Sequence, residues 1–238
     1  MHQLSAISYF YSMNTAGVFV IIPAYNEQQI LRQTVVSLLG FGYTVVVVDD
    51  GSAVPQRNML MGLPVAVLRH RINLGQGAAL QTGMEYALQQ GAAFIVHFDA
   101  DGQHRPEDIA SLVHPLQEGG CDVTLGSRFL TKESKVPFIK RLLIFSGRVL
   151  HLLYTGLWLT DAHNGLRAFT RQAAAWVRIT ENRMAHASEI IFLVQKHRLR
   201  FREVPVVITY SDYSRNKGQS AWNSIRIFFD LLLHKLFQ

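Results

Sequence analysis

A mainly parallel α/β sheet flanked by helices is the fold class this sequence predicts, and three observations carry it. Short β-branched runs alternate with helical patterns through residue 128. The run TVVVVDD at 44–50 is apolar on both faces, as a strand in the middle of a parallel sheet should be. Polar residues gather where the runs end: Asn26 and Glu27, Asp49 and Asp50, Arg69, then Asp99 and Asp101. Ligands of such sheets sit beyond the carboxyl ends of the strands.

VFVIIPA (18–24) reads as the first strand, and a helix follows over 26–39, where Ile30, Leu31, Thr34, Val35 and Leu38 recur at helical spacing. After strand 44–50 comes AVLRH (66–70), then a helix from Asn73 to Gln89. AFIVHFD (93–99) and DVTLGSR (122–128) continue the alternation, which requires right-handed crossovers. Pro106 followed by Glu107 and Asp108 suits a helix first turn. Beyond 129 the character changes. Lysines and arginines surround Pro137, and IKRLLIFSGRVLHLLYTGLW reads as a basic amphipathic helix. LRFREVPVVITY (199–210) is extended and interrupted by Pro205, SRNKGQS (214–220) is a basic loop, and the apolar tail to Gln238 is a helix. The expected organisation is a flexible tail over 1–17, one domain over 18–213, and a loop with an amphipathic C-terminal helix over 214–238.

Composition narrows the partners. With 238 residues, 49% apolar and 17% charged, the chain has ample material for a core and is not disordered. A formal charge of +6 and a pI near 9.6 point to an anionic partner such as a nucleotide, a lipid phosphate or a membrane surface. No nucleic-acid motif is recognisable, and none is expected as a partner. The lone Cys121 excludes an intrachain disulfide framework. No signal peptide is convincing at the N-terminus, and no window reaches the roughly 18 apolar residues of a spanning helix. Together these predict a cytoplasmic protein, peripheral on the inner face of a membrane.

Three stretches carry candidate chemistry, each with a bland alternative. In VHFDADGQHRPEDI (96–109), Asp99, Asp101 and Gln103 are two apart, so on an extended backbone they share a side. Their oxygens suit a hard cation, Mg2+ or Mn2+; otherwise they form a solvated turn. In VVVVDDGS (45–52), two carboxylates could accept hydrogen bonds from ribose hydroxyls or a base, or Asp50-Gly51 serves a turn. In RINLGQGAALQTG (71–83), Gly75 and Gly77 could let the backbone approach a phosphate, or they permit tight strand-to-helix packing.

The conjunction is more specific than its parts. PAYNE (23–27), VVDDGS (47–52), NLGQGAA (73–79), FDADGQHRPEDI (98–109) and GSRF (126–129) stand in one order. This set resembles the inverting nucleotide-sugar glycosyltransferases of family 2, which have the GT-A fold, and more narrowly their dolichyl- or polyprenyl-phosphate hexosyltransferase branch. The resemblance covers about residues 18–220 and implies a transferase using a UDP- or GDP-hexose. It implies that Pro23, Ala24, Tyr25, Glu27 and Asp50 line the nucleoside pocket, with Asn73, Gly75 and Gly77 also on the donor. It puts Asp99 near the ribose, diphosphate and metal, and has Asp101 and Gln103 complete the coordination of Mg2+ or Mn2+. Arg128 of GSRF would face donor or acceptor phosphate. LTDAHNGLRAFTR (159–171) matches the family's acceptor-side segment, with Asp161, Gly165 and Arg167 on the matching positions, and Glu189 matches an acid that opens a helix. Lys217 in KGQS stands where the family closes a loop over the diphosphate. Arg141 and Ser146 correspond to the branch's acceptor-helix pair, here five residues apart instead of four.

The acceptor follows from the need for a base. A sugar hydroxyl must lose its proton as it attacks, whereas a phosphate monoester is already anionic and needs cations. Lys132, Lys135, Lys140, Arg141 and Arg148 lie beside Phe138, Leu142, Leu143 and Phe145, a mixture suited to a lipid phosphate and a membrane surface. Polyprenyl phosphate is therefore the expected acceptor. A saccharide hydroxyl is the alternative, with Asp161, Glu189 or another acid as base. The C-terminal helix could dock on the membrane, cover the core or make a homodimer.

Overall fold

A computed structural model describes residues 15–27, 30–131, 152, 156–162, 164–183 and 185–209. Seven strands form one sheet: β1 Val18–Ala24, β2 Thr44–Asp49, β3 Ala66–Arg69, β4 Phe94–His97, β5 Val123–Ser127, β6 Arg167–Thr170 and β7 Phe201–Pro205. Their order is β3-β2-β1-β4-β6-β5-β7. β1 pairs in parallel with β2 and β4, β2 with β3, and β5 with β7. β6 runs antiparallel to both β4 and β5. The strand thus inserted begins at the edge of the sheet where β4 and β5 end.

Alternation along the strands divides the core into two layers. Val20, Ile22, Val45, Val47 and Val96 face a cluster with α1 (Leu31–Gly40) and α3 (Asp108–Gln117) through Leu31, Val35, Leu38, Ile109 and Leu112. Ile21, Val46, Val48 and Ile95 face the other way, onto α2 (Gln76–Gln89) and α5 (His186–Lys196) through Leu80, Met84, Ile190, Ile191 and Val194. A sheet covered on both faces explains why β2 is apolar at four successive positions. The short α4 (Arg171–Trp176) follows β6 directly, and the Thr170 hydroxyl caps it by accepting from Ala173 N at 3.2 Å.

The helices start later than periodicity suggests. α1 begins at Leu31 rather than 26, because residues 25–27 are held in the loop: Asn26 has φ 54, its N–H donates to Ser52 Oγ, and its Oδ1 accepts from Ala53 N. α2 begins at Gln76 rather than Asn73, because the amides of Leu74 and Gly75 are drawn to the Asp50 carboxylate. α3 begins at Asp108, whose carboxylate also accepts from Val207 N at 2.8 Å and so fastens the chain beyond β7. The strand 199–210 is shorter than its extended pattern, yet an isolated bridge from His104 to Ile208 carries the pairing on to the loop after β4. Most of the expected basic helix after Pro137, and the C-terminal helix, lie outside the described residues; the last three residues of the former, 156–158, are described and are not helical, with Gly156 at φ 72. No helix among the described residues is long and apolar enough to cross a membrane.

Candidate active site

The carboxyl edge of the sheet gathers the motif residues, beginning with the loop after β4. The strand stops at His97 and the chain turns through Ala100–Gly102, with Gly102 at φ 71. The extended alternation expected for Asp99, Asp101 and Gln103 therefore does not persist. Convergence comes instead from side-chain hydrogen bonds: Asp101 accepts from Gln103 N at 3.0 Å and from Gln103 Nε2 at 2.7 Å. Asp99 accepts from Gln76 Nε2 at 2.8 Å and pairs with His104 Nε2 at 3.1 Å. His104 Nδ1 is buried and without a hydrogen bond. A carboxylate oxygen only accepts, so the hydrogen in the Asp99–His104 bond sits on Nε2.

The two carboxyls are held in opposite senses. Burial opposes ionisation of Asp99, but the hydrogen bond and charge of His104, then His186 and Arg167, hold it below the usual carboxylate range. Burial pushes Asp101 up, and the negative charge of Asp99 pushes it further, against the Gln103 N–H. A divalent cation between two such oxygens would relieve that repulsion, and the donor set of two carboxylates and an amide is the hard-oxygen type that suits Mg2+ or Mn2+. Among the described residues no group of three or more His, Cys, Asp and Glu side chains forms a metal cage by itself.

Next to this loop, the glycines of NLGQG serve the chain itself. A Cβ on Gly75, which has φ 111, would lie 2.2 Å from Asn182 O, and one on Gly77 would lie 2.0 Å from Glu181 O. Gly77 N and Ala78 N both donate to Asn182 O, at 2.9 and 3.3 Å. Two amides of the first turn of α2, the natural anion site of a helix, are thus spent on a backbone carbonyl. Glu189 maintains this arrangement by accepting from Thr180 N and Glu181 N at 3.0 and 2.9 Å and from the Thr180 hydroxyl. Asp50 is equally committed: it is buried and accepts from Leu74 N, Gly75 N and His70 Nδ1. Asp49 accepts from Ser52 N and Gln56 N, with Arg69 Nε at 3.4 Å. Of the PAYNE residues, Pro23 and Ala24 close β1, Tyr25 is half-exposed, and Glu27 is buried. Asn73 is exposed.

On the far side, β5 ends in Ser127 and delivers Arg128. Its Nε contacts Asp161 Oδ2 at 2.6 Å, and its backbone N–H donates to the same oxygen at 3.1 Å. Asp161 is fully buried; Asn164 Nδ2 also reaches Oδ2 at 3.2 Å, while Oδ1 has no hydrogen-bond partner. Glu203 of β7 steadies the segment by accepting from Thr160 N, Thr160 Oγ1 and Asp161 N. Arg167 opens β6 opposite His97 of β4 and Leu125 of β5, and donates from Nη2 to Ala162 O at 3.3 Å. Burial pulls its guanidinium down to about 10, with Asp99 and Asp161 pulling the other way, so it stays charged near neutrality.

The structure therefore brings Asp99, Asp101, Gln103, Arg128, Asp161 and Arg167 to one edge. Arg141, Ser146 and Lys217 lie outside the described residues. Sequence reasoning gave no role to His104, Gln76, His97 or His186. For His104 a signal existed, since it ends the DADGQH block, and for His97 too, as a polar residue within an apolar strand. His97 is buried with neither ring nitrogen hydrogen-bonded, and burial, then Arg167 and His186, push it down to about 3. Gln76 and His186 are placed by tertiary contacts that carry no local pattern.

The sequence profile of Glycosyl transferase family 2 matches residues 19–177. The chain is 36% identical over 230 residues to an uncharacterized protein of Methanocaldococcus jannaschii, covering 94% of this chain and 95% of that one. It is 31% identical over 241 residues to the UDP-N-acetylglucosamine–dolichyl-phosphate N-acetylglucosaminyltransferase of Methanococcus voltae, covering 92% and 96%. Among solved structures, glucosyl-3-phosphoglycerate synthase from Mycobacterium tuberculosis, in complex with Mn2+, UDP and glucosyl-3-phosphoglycerate, superposes with a TM-score of 0.61 at 15% identity. That likeness covers 95% of this chain and 80% of that one, and it shows a shared GT-A fold.

Proposed function

The chain belongs to glycosyl transferase family 2, and we propose that it moves a hexose from a nucleoside-diphosphate sugar onto a polyprenyl phosphate at a membrane surface. The name of the Methanococcus voltae relative, which the chain matches almost end to end, supports a lipid-phosphate acceptor.

The observation that carries the phosphate acceptor is the condition of the acids. A hydroxyl acceptor needs a base within hydrogen-bond reach. Of the two acids that the sequence puts on the acceptor side, Asp161 is locked on Arg128 and Glu189 on the Thr180–Glu181 backbone. Arg128 stands at the same edge, and a phosphate monoester needs such a cation and no base.

In this reading a phosphate oxygen attacks the anomeric carbon, a new C–O bond forms, and the bond to the nucleoside diphosphate breaks with its electron pair leaving on the diphosphate. A single in-line displacement inverts the anomeric centre. Asp99 and Asp101 would hold Mg2+ or Mn2+, with Gln103 beside them; when bound, the cation would offset the charge of the departing diphosphate. His104 and Gln76 orient Asp99, and Asp161 orients Arg128 toward phosphate. Incubation with labelled UDP- and GDP-hexoses, Mn2+ and a short polyprenyl phosphate should yield an acid-labile glycolipid. Label appearing only on an added saccharide would refute the lipid-phosphate acceptor.

A further inference from the structure

The buried guanidinium of Arg167 lies where the two halves of the site meet. β6 is antiparallel to both neighbours, so its first residue sits beside the ends of β4 and β5, in register with His97 and Leu125. Two residues beyond His97 is Asp99, and the turn before β6 presses against it: a Cβ on Gly165 would lie 2.1 Å from Asp99 Oδ2. Three residues beyond Leu125 is Arg128, clamped by the buried Asp161.

Arg167 is 3% exposed. A buried cation needs compensating charge, and one hydrogen bond to Ala162 O does not provide it. The opposite charges that act on it are Asp99 on one side and Asp161 on the other. Neither is in direct ion-pair contact with it; its one hydrogen bond goes to Ala162, next to Asp161, while the turn that leads into it packs on Asp99. Its removal would take a positive charge from the neighbourhood of two carboxylates, the buried Asp161 and the part-buried Asp99, one on each loop.

We propose that Arg167 is a positioning residue that ties the Asp99–His104 loop to the Arg128–Asp161 pair, so that one buried cation sets both sides of the site together. The proposal rests on the reading above for which side is donor and which acceptor; the tie itself does not depend on that reading. An Arg167 that served only the fold would weaken the sheet as a whole, and one that served a single loop would leave the other unmoved.

Hydrogen exchange of the full-length chain without any ligand separates these cases. Arg167→Met should accelerate exchange about tenfold or more in both 98–104 and 126–131, while peptides from β1 and β2 keep their protection. Arg167→Lys, which keeps the charge, should restore most of the protection in both segments. Asp161→Asn should also accelerate 98–104, although its hydrogen bonds are to Arg128 and Asn164. A response in only one segment, a uniform rise across the sheet, or a lysine variant no better than methionine overturns the proposal. If Arg167→Met does not fold, the lysine and Asp161→Asn variants decide it: unchanged exchange at 98–104 in Asp161→Asn refutes the tie. Failure of transfer to polyprenyl phosphate would refute the acceptor and leave these exchange data standing.

Discussion

Gly165→Ala is a one-carbon change whose effect the geometry bounds. The added Cβ would stand 2.1 Å from Asp99 Oδ2 and 2.8 Å from its Cγ, whereas ordinary contact begins at 3.4 Å. Asp99 must therefore retreat by about 1.3 Å, the shortfall from ordinary contact, or the 164–166 turn must give way. A retreat stretches the hydrogen bonds from His104 and Gln76, now 3.1 and 2.8 Å. Overpacking and the weakened bonds together should cost about 2 kcal/mol, which lowers Tm by roughly 4–8 °C for a chain of this size. The catalytic loss should be larger than that, because displacing a substrate-positioning group by about 1 Å costs about a hundredfold in rate. Labelled-sugar transfer at 25 °C, where the variant remains folded, reads kcat/KM; a thermal melt reads Tm. Near-native kcat/KM in the folded variant would refute the assignment of Asp99 to the donor side.

Three further outcomes follow from single side chains. His97→Leu removes two ring nitrogens that have no hydrogen bond, so it should leave stability unchanged or raise it by about 1 kcal/mol in urea unfolding; a clear loss would mean that His97 has a hidden partner. Glu189→Ala strips the acceptor from Thr180 N, the Thr180 hydroxyl and Glu181 N and should lower stability by about 2 kcal/mol, and an unchanged melt would count against its structural role. His186 is pushed down to about 4 by burial and Arg167, against the Arg183 carbonyl, Asp99 and Glu189. Because its folded value lies below its ordinary 6.5, the unfolded chain binds the extra proton. Its contribution is complete above pH 6.5 and is lost toward pH 4, by about 1.4 kcal/mol per pH unit. Chemical denaturation from pH 7 to 4 should show a shallower acid slope in His186→Gln, and identical slopes would contradict the assignment.

The parallel strands were legible because burial on both faces leaves a local trace: VVVV of β2 can be read without knowing its neighbours. β6 left none. Residues 167–170 are four positions of mixed character, and their direction is set by the gap between β4 and β5. The site divides in the same way. Asp99, Asp101, Gln103 and Arg128 stand at strand ends, where pattern and chemistry coincide. The glycines of NLGQG show the limit of motif reading: their spacing predicts close approach, and only the fold reveals that the approaching group is the Glu181–Asn182 backbone. Glu189 is similar, a helix-opening acid whose partners lie eight and nine residues upstream in a loop with no periodic signal.

The most direct test of the account compares two acceptors that differ by one group: a short polyprenyl phosphate and the corresponding free polyprenol, each offered with the same nucleotide sugar and Mn2+. With its acceptor-side acids engaged and cations at the edge of the sheet, the protein should glycosylate the phosphate and leave the alcohol untouched. Equal transfer to the alcohol would require a base other than Asp161 and Glu189, and would contradict the account.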